Sequence, residues 1–246
     1  MSPRFTTDQP GILRNSIPFI HMSGSALKCV AMAAMVLDHC AMAFVNDDES
    51  LLLILRTLGR IAFPVFAFMA VQGFLFTRNR ARYISGLWLC GILSEAVWRL
   101  MTGGTCGTSN VLFTLAIGVS LLALFPHSIT RRGNKYALPE FFRMAVALVS
   151  TICLVEFFNP DYGMAGVILI VGLWLIRDRP RISIICLFPL VAHIQGCVGA
   201  VLALAILLTY DGTRGFIRTT SQKYLLYIFY PAHLAVIWAL KRMLYA

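Results

Sequence analysis

The chain has 246 residues and a formal net charge of +10, yet only 13% of its residues are charged and 59% are hydrophobic. An ordinary soluble domain carries about a quarter charged residues; with a mean hydropathy of +0.77, the composition excludes a water-soluble globular fold and predicts an all-helical, polytopic membrane protein. The excess positive charge then belongs to cytoplasmic loops of a bilayer protein, and no aromatic-basic patch points to nucleic acid.

Residues 1–24 are polar and contain Pro3, Pro10 and Pro18. They read as a cytoplasmic tail rather than a signal peptide, because no short apolar core is followed by a small-residue cleavage site. A spanning helix needs about 20 mostly apolar residues. Such stretches occur at 26–45, 51–76, 83–101, 111–126, 139–158, 162–176, 182–195, 197–210 and 224–242. The expectation is about nine spans, with eight and ten as alternatives, in a single transmembrane domain over residues 25–246.

Charge orients these spans. Basic residues cluster at Arg4, Arg14 and Lys28, at Arg78, Arg80 and Arg82, at Arg131, Arg132, Lys135 and Arg143, at Arg177, Arg179 and Arg181, and at Arg214, Arg218 and Lys223. The acidic run Asp47, Asp48 and Glu49 falls between two of these clusters. Alternating basic and non-basic loops place the N-terminus inside and the C-terminus outside. The seven cysteines form no metal-binding spacing. They read as small buried residues, with Cys106 and Cys197 a conceivable external disulfide pair.

Ionisable groups at membrane depth are costly, about 2.5–3.5 kcal/mol on insertion scales, and are functional candidates by default. Here they are Asp38 and His39 in the first span, Arg60 in the second, Glu95 and Arg99 in the third, Glu156 and Asp161 ending the fifth, His193 in the seventh and His233 in the last. At ~1.5 Å per residue, His39 lies about 16 Å beyond Lys28, in the outer half. Arg60, Glu95, Asn110, Asp161, Tyr162 and His193 belong to the same half, and His233 lies near the midplane. Random packing defects would not share a side; a polar cavity open to the exterior would.

Structural readings compete. Glu95 and Arg99 are spaced i,i+4 and can pair with each other. Asp38 and Arg60 can form an ion pair that holds two helices together. Asp38 and His39 are neighbours in sequence and do not share a helix face, so no direct Asp-His dyad is expected. Met32, Met35 and Met42 share the face of His39 and read as packing. Pro64 displaces the carbonyl of Arg60, and Pro231 precedes His233 by two residues, so each proline places a helix defect beside a charge or an imidazole.

The segments LKCVAMAAMVLDHCAMAF, LGRIAFPVFAFMAVQGF, NVLFTLAIG, DYGMAGVILI and YLLYIFYPAHLAVI resemble, in order, the TraX family, named for the F-type conjugative pilin acetylase. The resemblance covers about residues 26–240. Lys28 and His39 also show a K-x10-H spacing similar to the R/K-x10-H motif of acyltransferase-3-type membrane acyltransferases. The family resemblance implies a transmembrane acyltransferase domain in the inner membrane that acetylates the N-terminal amine of pilin on the outer side.

The resulting expectation is direct transfer from cytoplasmic acetyl-CoA, without a metal. Lys28, Arg78, Arg82 and Arg177 are candidates to pair with the phosphates of acetyl-CoA. His39 is the candidate general base, with Asp38 and Arg60 as its catalytic companions. Asn110, Tyr162, Glu95 and His233 are candidates for acceptor positioning or oxyanion stabilisation. A covalent acetyl-His39 or acetyl-Cys40 intermediate is the minor variant. Other readings are a glycan O-acetyltransferase, a transporter or flippase, and a non-enzymatic pilus-assembly protein.

Overall fold

The computed structural model describes residues 21–45, 47–125, 138–178 and 180–245. Residues 1–20, His127, Arg131, Arg132, Lys135 and Arg179 lie outside the described residues, so the reading of the tail and of those loop charges is not met here.

The described chain is helical: α1 Gly24–Phe44, α2 Glu49–Gly59, α3 Ala62–Phe76, α4 Arg80–Thr102, α5 Val111–Leu124, α6 Leu138–Phe158, α7 Gly163–Leu175, α8 Pro180–Cys186, α9 Phe188–Leu208 and α10 Thr220–Leu244. By length and composition alone, five stretches among the described residues are long and apolar enough to cross a membrane: α1, α2 with α3, α4, α9 and α10. The apolar helices α5 and α7 are shorter.

Short polar side chains start these helices. Ser23, Asp48, Asn79 and Asn110 accept from the free backbone N–H groups of α1, α2, α4 and α5. Thr219 and Gln222 form a reciprocal capping box on α10. Helices α3 and α5 are apolar all round and form the centre, with Phe63, Val65, Phe74, Ala116 and Ile117 at 2% exposure or less. Around them, Leu53, Phe142, Phe157 and Val198 point outward, which a lipid solvent favours and water would not.

The second stretch breaks where the proline requires. Arg60 ends α2 and Ile61 precedes α3, four residues before Pro64. The expected defect therefore falls on the arginine. Around Pro231, α10 stays continuous, and the carbonyl of Tyr227 that the ring frees accepts from Cys90 Sγ at 3.2 Å.

The stretch from 182 to 210 departs from two separate spans. Short α8 leads into α9, which is interrupted only at Gly196, with φ 79° and ψ 159°. That left-handed position suits glycine, and it coincides with the expected boundary between 195 and 197. Leu187 lies against Gly172, whereas Ile194 shares a cavity wall with Ala165 and Arg60. Beyond the break, Thr209 and Tyr210 meet Met22 before α1. The chain approaches the cavity level along the first arm of α9 and leaves it along the second. Either arm alone is too short for the ~30 Å hydrocarbon layer at ~1.5 Å per residue, so nine full spans are not seen.

Helices α1 and α10 begin together. Ser25 Oγ donates to the carbonyl of Arg214 at 2.7 Å and accepts from Ile217 N–H at 2.9 Å. The two helices run side by side, so the start of α1 and the end of α10 lie at opposite ends of the bundle. Lys28, Arg214 and Lys223 face one another at the shared start. The acidic run at 47–49 lies beyond the far end of α1.

The cysteines depart from the buried reading: only Cys90 is buried, and Cys29, Cys153, Cys186 and Cys197 are exposed. Cys106 and Cys197 are both free thiols, so the conceivable disulfide is absent.

Candidate functional site

A cavity of about 270 Å³ opens between α1, α2, α4 and the 159–162 loop; Asp38, His39, Arg56, Trp98, Asp161 and Tyr230 line it. Met35 and Met42 lie on its wall, as their helical spacing from His39 dictates. Of the sequence candidates, Asp38, His39, Asp161 and Tyr162 therefore share one space.

His39 does not act alone. Its Nδ1 lies 2.8 Å from His233 Nε2, and the two buried rings are nearly parallel. His233 Nδ1 lies 2.9 Å from the carbonyl oxygen of Phe229, one turn back on α10. A carbonyl only accepts, so His233 Nδ1 carries the hydrogen. In the neutral pair, His233 Nε2 is then the acceptor and His39 Nδ1 the donor. The network assigns the lone pair of the pair to His39 Nε2. This is the form a general base requires. Trp98 sets the ring edge-on from a centroid distance of 5.6 Å, and its own Nε1 is tied to the Thr108 carbonyl at 2.9 Å.

Asp38 meets a different arginine from the expected one. Its Oδ1 lies 3.4 Å from Arg56 Nε. The close approach of α1 and α2 causes this. A Cβ on Gly59 would lie 2.9 Å from the Asp38 backbone nitrogen, so only glycine lets the helices cross here. Arg56, one turn before the break, reaches across the crossing. Arg60 instead lines a second cavity of about 230 Å³ with Arg56, Asp161, Tyr162 and His193. Asp38 and His39, as neighbours on one helix, make separate contacts, as expected.

Asp161 lies in the loop outside the helices. It opens onto both cavities but is ringed by protein, and burial followed by repulsion from Asp38 raises its carboxyl to about 6; Arg56, Arg60 and Thr108 pull the other way. Tyr162 is stacked on Phe63 at a centroid distance of 3.7 Å, which fixes its place on the shared wall.

Glu95 and Asn110 are spent on structure. Glu95 Oε1 accepts from Arg99 Nε at 2.8 Å, and Oε2 accepts from Asn110 Nδ2 and backbone N–H at 2.9 and 3.1 Å. Asn110 Nδ2 also donates to the Gly91 carbonyl, while Oδ1 caps α5 through Leu112 N–H. No donor of the Asn110 side chain is left for an oxyanion, so that expectation is corrected: Asn110 joins α4 to α5. The expected i,i+4 pair of Glu95 with Arg99 is present.

The phosphate candidates are less uniform. Arg78 and Arg82 are exposed at the α3–α4 junction, and Arg82 Nη2 donates to Tyr224 Oη at 2.8 Å. Arg177 folds back on its own helix end, donating to the Trp174 carbonyl at 2.9 Å and covering the Trp174 ring at 4.5 Å. Lys28 lies near the start of α1, beside Arg214 and Lys223. Cys40 is not on the cavity wall, whereas Cys106 is.

Sequence reasoning missed Arg56, Trp98 and Tyr230. Arg56 was legible as the residue one turn from Arg60 on the same face. Tyr230 has a buried hydroxyl with no hydrogen-bond partner among the described residues; nothing in its apolar setting marked it.

The model of the TraX protein family matches residues 23–241. The chain is similar to the probable fimbrial assembly protein FimC, serogroup H1, of Dichelobacter nodosus, with 29% identity over 92% of this chain and 98% of that protein. It is 27% identical to Protein TraX of Escherichia coli over 87% of this chain and 85% of that one. No solved structure matches. A match that takes in α1, both cavities and all but the end of α10 leaves one conclusion: the chain belongs to the TraX family.

Proposed function

We propose that this protein is an acetyl-CoA-dependent acetyltransferase of the inner membrane that modifies the N-terminal amine of a pilin. One observation carries the chemistry: the Phe229–His233–His39 chain leaves a basic nitrogen on the wall of a cavity at membrane depth. The names of the relatives, one a fimbrial assembly protein, support the pilus as the setting.

In this reading acetyl-CoA docks at the basic end near Lys28, Arg78 and Arg82 and extends its thioester toward His39. The neutral amine attacks the thioester carbon. His39 Nε2 takes the amine proton as the C–N bond forms, and the C–S bond breaks with the thiolate of CoA leaving and collecting a proton. His233 holds the tautomer and shares the positive charge through the 2.8 Å bond. Asp38 and Asp161 draw the acceptor in as an ammonium, which gives its first proton to water at the open mouth of the cavity before the attack. The thiolate later takes the second from His39, and Arg56 orients Asp38. The basic end faces the cytoplasm and the cavity faces outward.

Purified protein supplied with acetyl-CoA and a pilin N-terminal peptide should yield acetylated peptide by mass spectrometry. His39→Ala should lower the rate by about 10²-fold or more while the protein still accumulates folded in membranes. Full transfer by that variant would remove His39 from the mechanism. Transfer to a glycan hydroxyl and not to the peptide would reassign the acceptor.

A further inference from the structure

We propose that the second cavity is an anion subsite that takes a carboxylate carried by the acceptor close to its reactive amine. The acceptor's identity rests on the acyl-transfer reading; the anion site does not. The cavity places two guanidiniums, Arg56 and Arg60, and the imidazole of His193 around one carboxylate, Asp161. Arg56 is committed to Asp38. Arg60 makes no side-chain hydrogen bond or ion pair with any described residue and acts on Asp38 and Asp161 only at a distance. A half-buried guanidinium at membrane depth is costly unless something pairs with it. The missing partner is an anion, and the fork of an arginine fits a carboxylate or a phosphate.

Size and depth choose between the sources. About 230 Å³ admits one small acidic group and not a nucleotide. Arg60 lies at the far end of α2 from Glu49, about 16 Å along the helix, which is deeper than a lipid headgroup phosphate sits. The two cavities share Arg56, Asp161 and Tyr162. A molecule with its amine in the His39 cavity can therefore extend past Asp161 and Tyr162 toward Arg60. An acceptor peptide with an acidic side chain near its N-terminus meets both conditions: its ammonium faces Asp38 and Asp161, and its carboxylate faces Arg60.

The test uses the full chain in phosphatidylcholine nanodiscs without acetyl-CoA. Fluorescent N-terminal peptides carry one Glu moved stepwise along the first few positions, each beside its Gln counterpart, and binding is read by anisotropy. At one position Glu should bind about ten-fold tighter than Gln, the worth of one charge-assisted contact. Arg60→Gln should bring that ratio close to one, and Arg60→Lys should retain part of it. Equal binding of Glu and Gln peptides at every position, or a ratio that survives Arg60→Gln, overturns the subsite. Loss of the preference on adding phosphatidylglycerol to the discs would assign the site to a lipid phosphate and overturn the acceptor carboxylate. Acetyl-CoA is then added. A Glu preference without acetylated product refutes acetyl transfer and leaves the subsite standing; acetylation without the preference does the reverse.

Discussion

Glu95 and Asp38 each pair with an arginine at membrane depth, and the two pairs differ in how much of their hydrogen bonding is spent. At the α4–α5 corner, Glu95 meets Arg99, Asn110 and the α5 cap, and every side-chain donor of Asn110 is used. At the α1–α2 crossing, Asp38 holds Arg56 through one long contact of 3.4 Å. Around it, the Arg60 guanidinium and the Tyr230 hydroxyl make no hydrogen bond with any described residue, and among the described residues His39 bonds through Nδ1 alone. A closed polar network rigidifies a junction. An open one at the same depth is stable only if it faces a cavity and its ligand. The difference separates structural polar groups from candidate functional ones where charge and burial alone do not.

The largest contrast comes from removing each carboxylate. Asp38→Ala leaves Arg56 uncompensated on the cavity wall and removes one of two anions facing the amine. Acetyl transfer should fall by about ten-fold or more, since a hydrogen bond to a charged group is worth about 1.5–3 kcal/mol. Glu95→Ala should leave transfer per folded molecule near the parent level and instead lower stability by about 1–3 kcal/mol, because the Asn110 N–H groups lose their acceptor. Rates normalised to folded protein, with thermal melting of each variant in detergent, separate the two. Equal loss of transfer in both would collapse the distinction between open and closed networks.

That distinction was only half legible in the sequence. Hydropathy located α1, α3, α4 and α10 because lipid demands long apolar runs, and Pro64 placed the helix break at Arg60 through the geometry of its ring. The split at Gly196 was legible as a boundary, but the length of each arm, and so the span count, was not. His39 and His233 stood out as imidazoles in apolar runs. Their contact depends on α1 and α10 packing in parallel over a separation in sequence of nearly the whole chain, which no local pattern encodes. Asp38 was assigned to Arg60 because depth cannot distinguish residues one turn apart; the crossing at Gly59 does. Asn110 looked like a free polar group because its partners, Glu95 and Gly91, belong to the preceding helix.

Asp161 provides a smaller effect that belongs to the open side alone. It lies in the loop before α7, faces Asp38, Arg56, Arg60 and Thr108, and titrates at about 6 in the folded protein. An unfolded aspartate titrates near 4. The folded state therefore binds the proton more tightly, and the stability this contributes is complete below about 4 and is lost as pH rises through about 6. Melting temperature should decline over that window in the parent protein and decline less in Asp161→Asn, which has no proton to lose there. A parallel pH profile for the two proteins would show that Asp161 is not held in the environment of the shared cavity wall.

Tyr230→Phe gives the smallest expected change and the most direct check on whether a polar atom of the cavity wall is unsatisfied. The hydroxyl is buried, with no partner at bonding distance, although it faces the backbone N–H of Val111 at the start of α5. If it is an orphan in the resting protein, removing it relieves a desolvation cost and raises stability by up to about 1 kcal/mol. If Val111 N–H binds it, the same substitution strips that donor and stability falls. Transfer discriminates further. A hydroxyl kept unpaired beside His39 at the N-terminus of a helix has its hydrogen free for charge that appears only during the reaction. Tyr230→Phe should therefore be more stable and slower. A variant that is more stable and equally fast would leave the hydroxyl as a packing defect and narrow the reactive part of the wall to His39 and the two carboxylates.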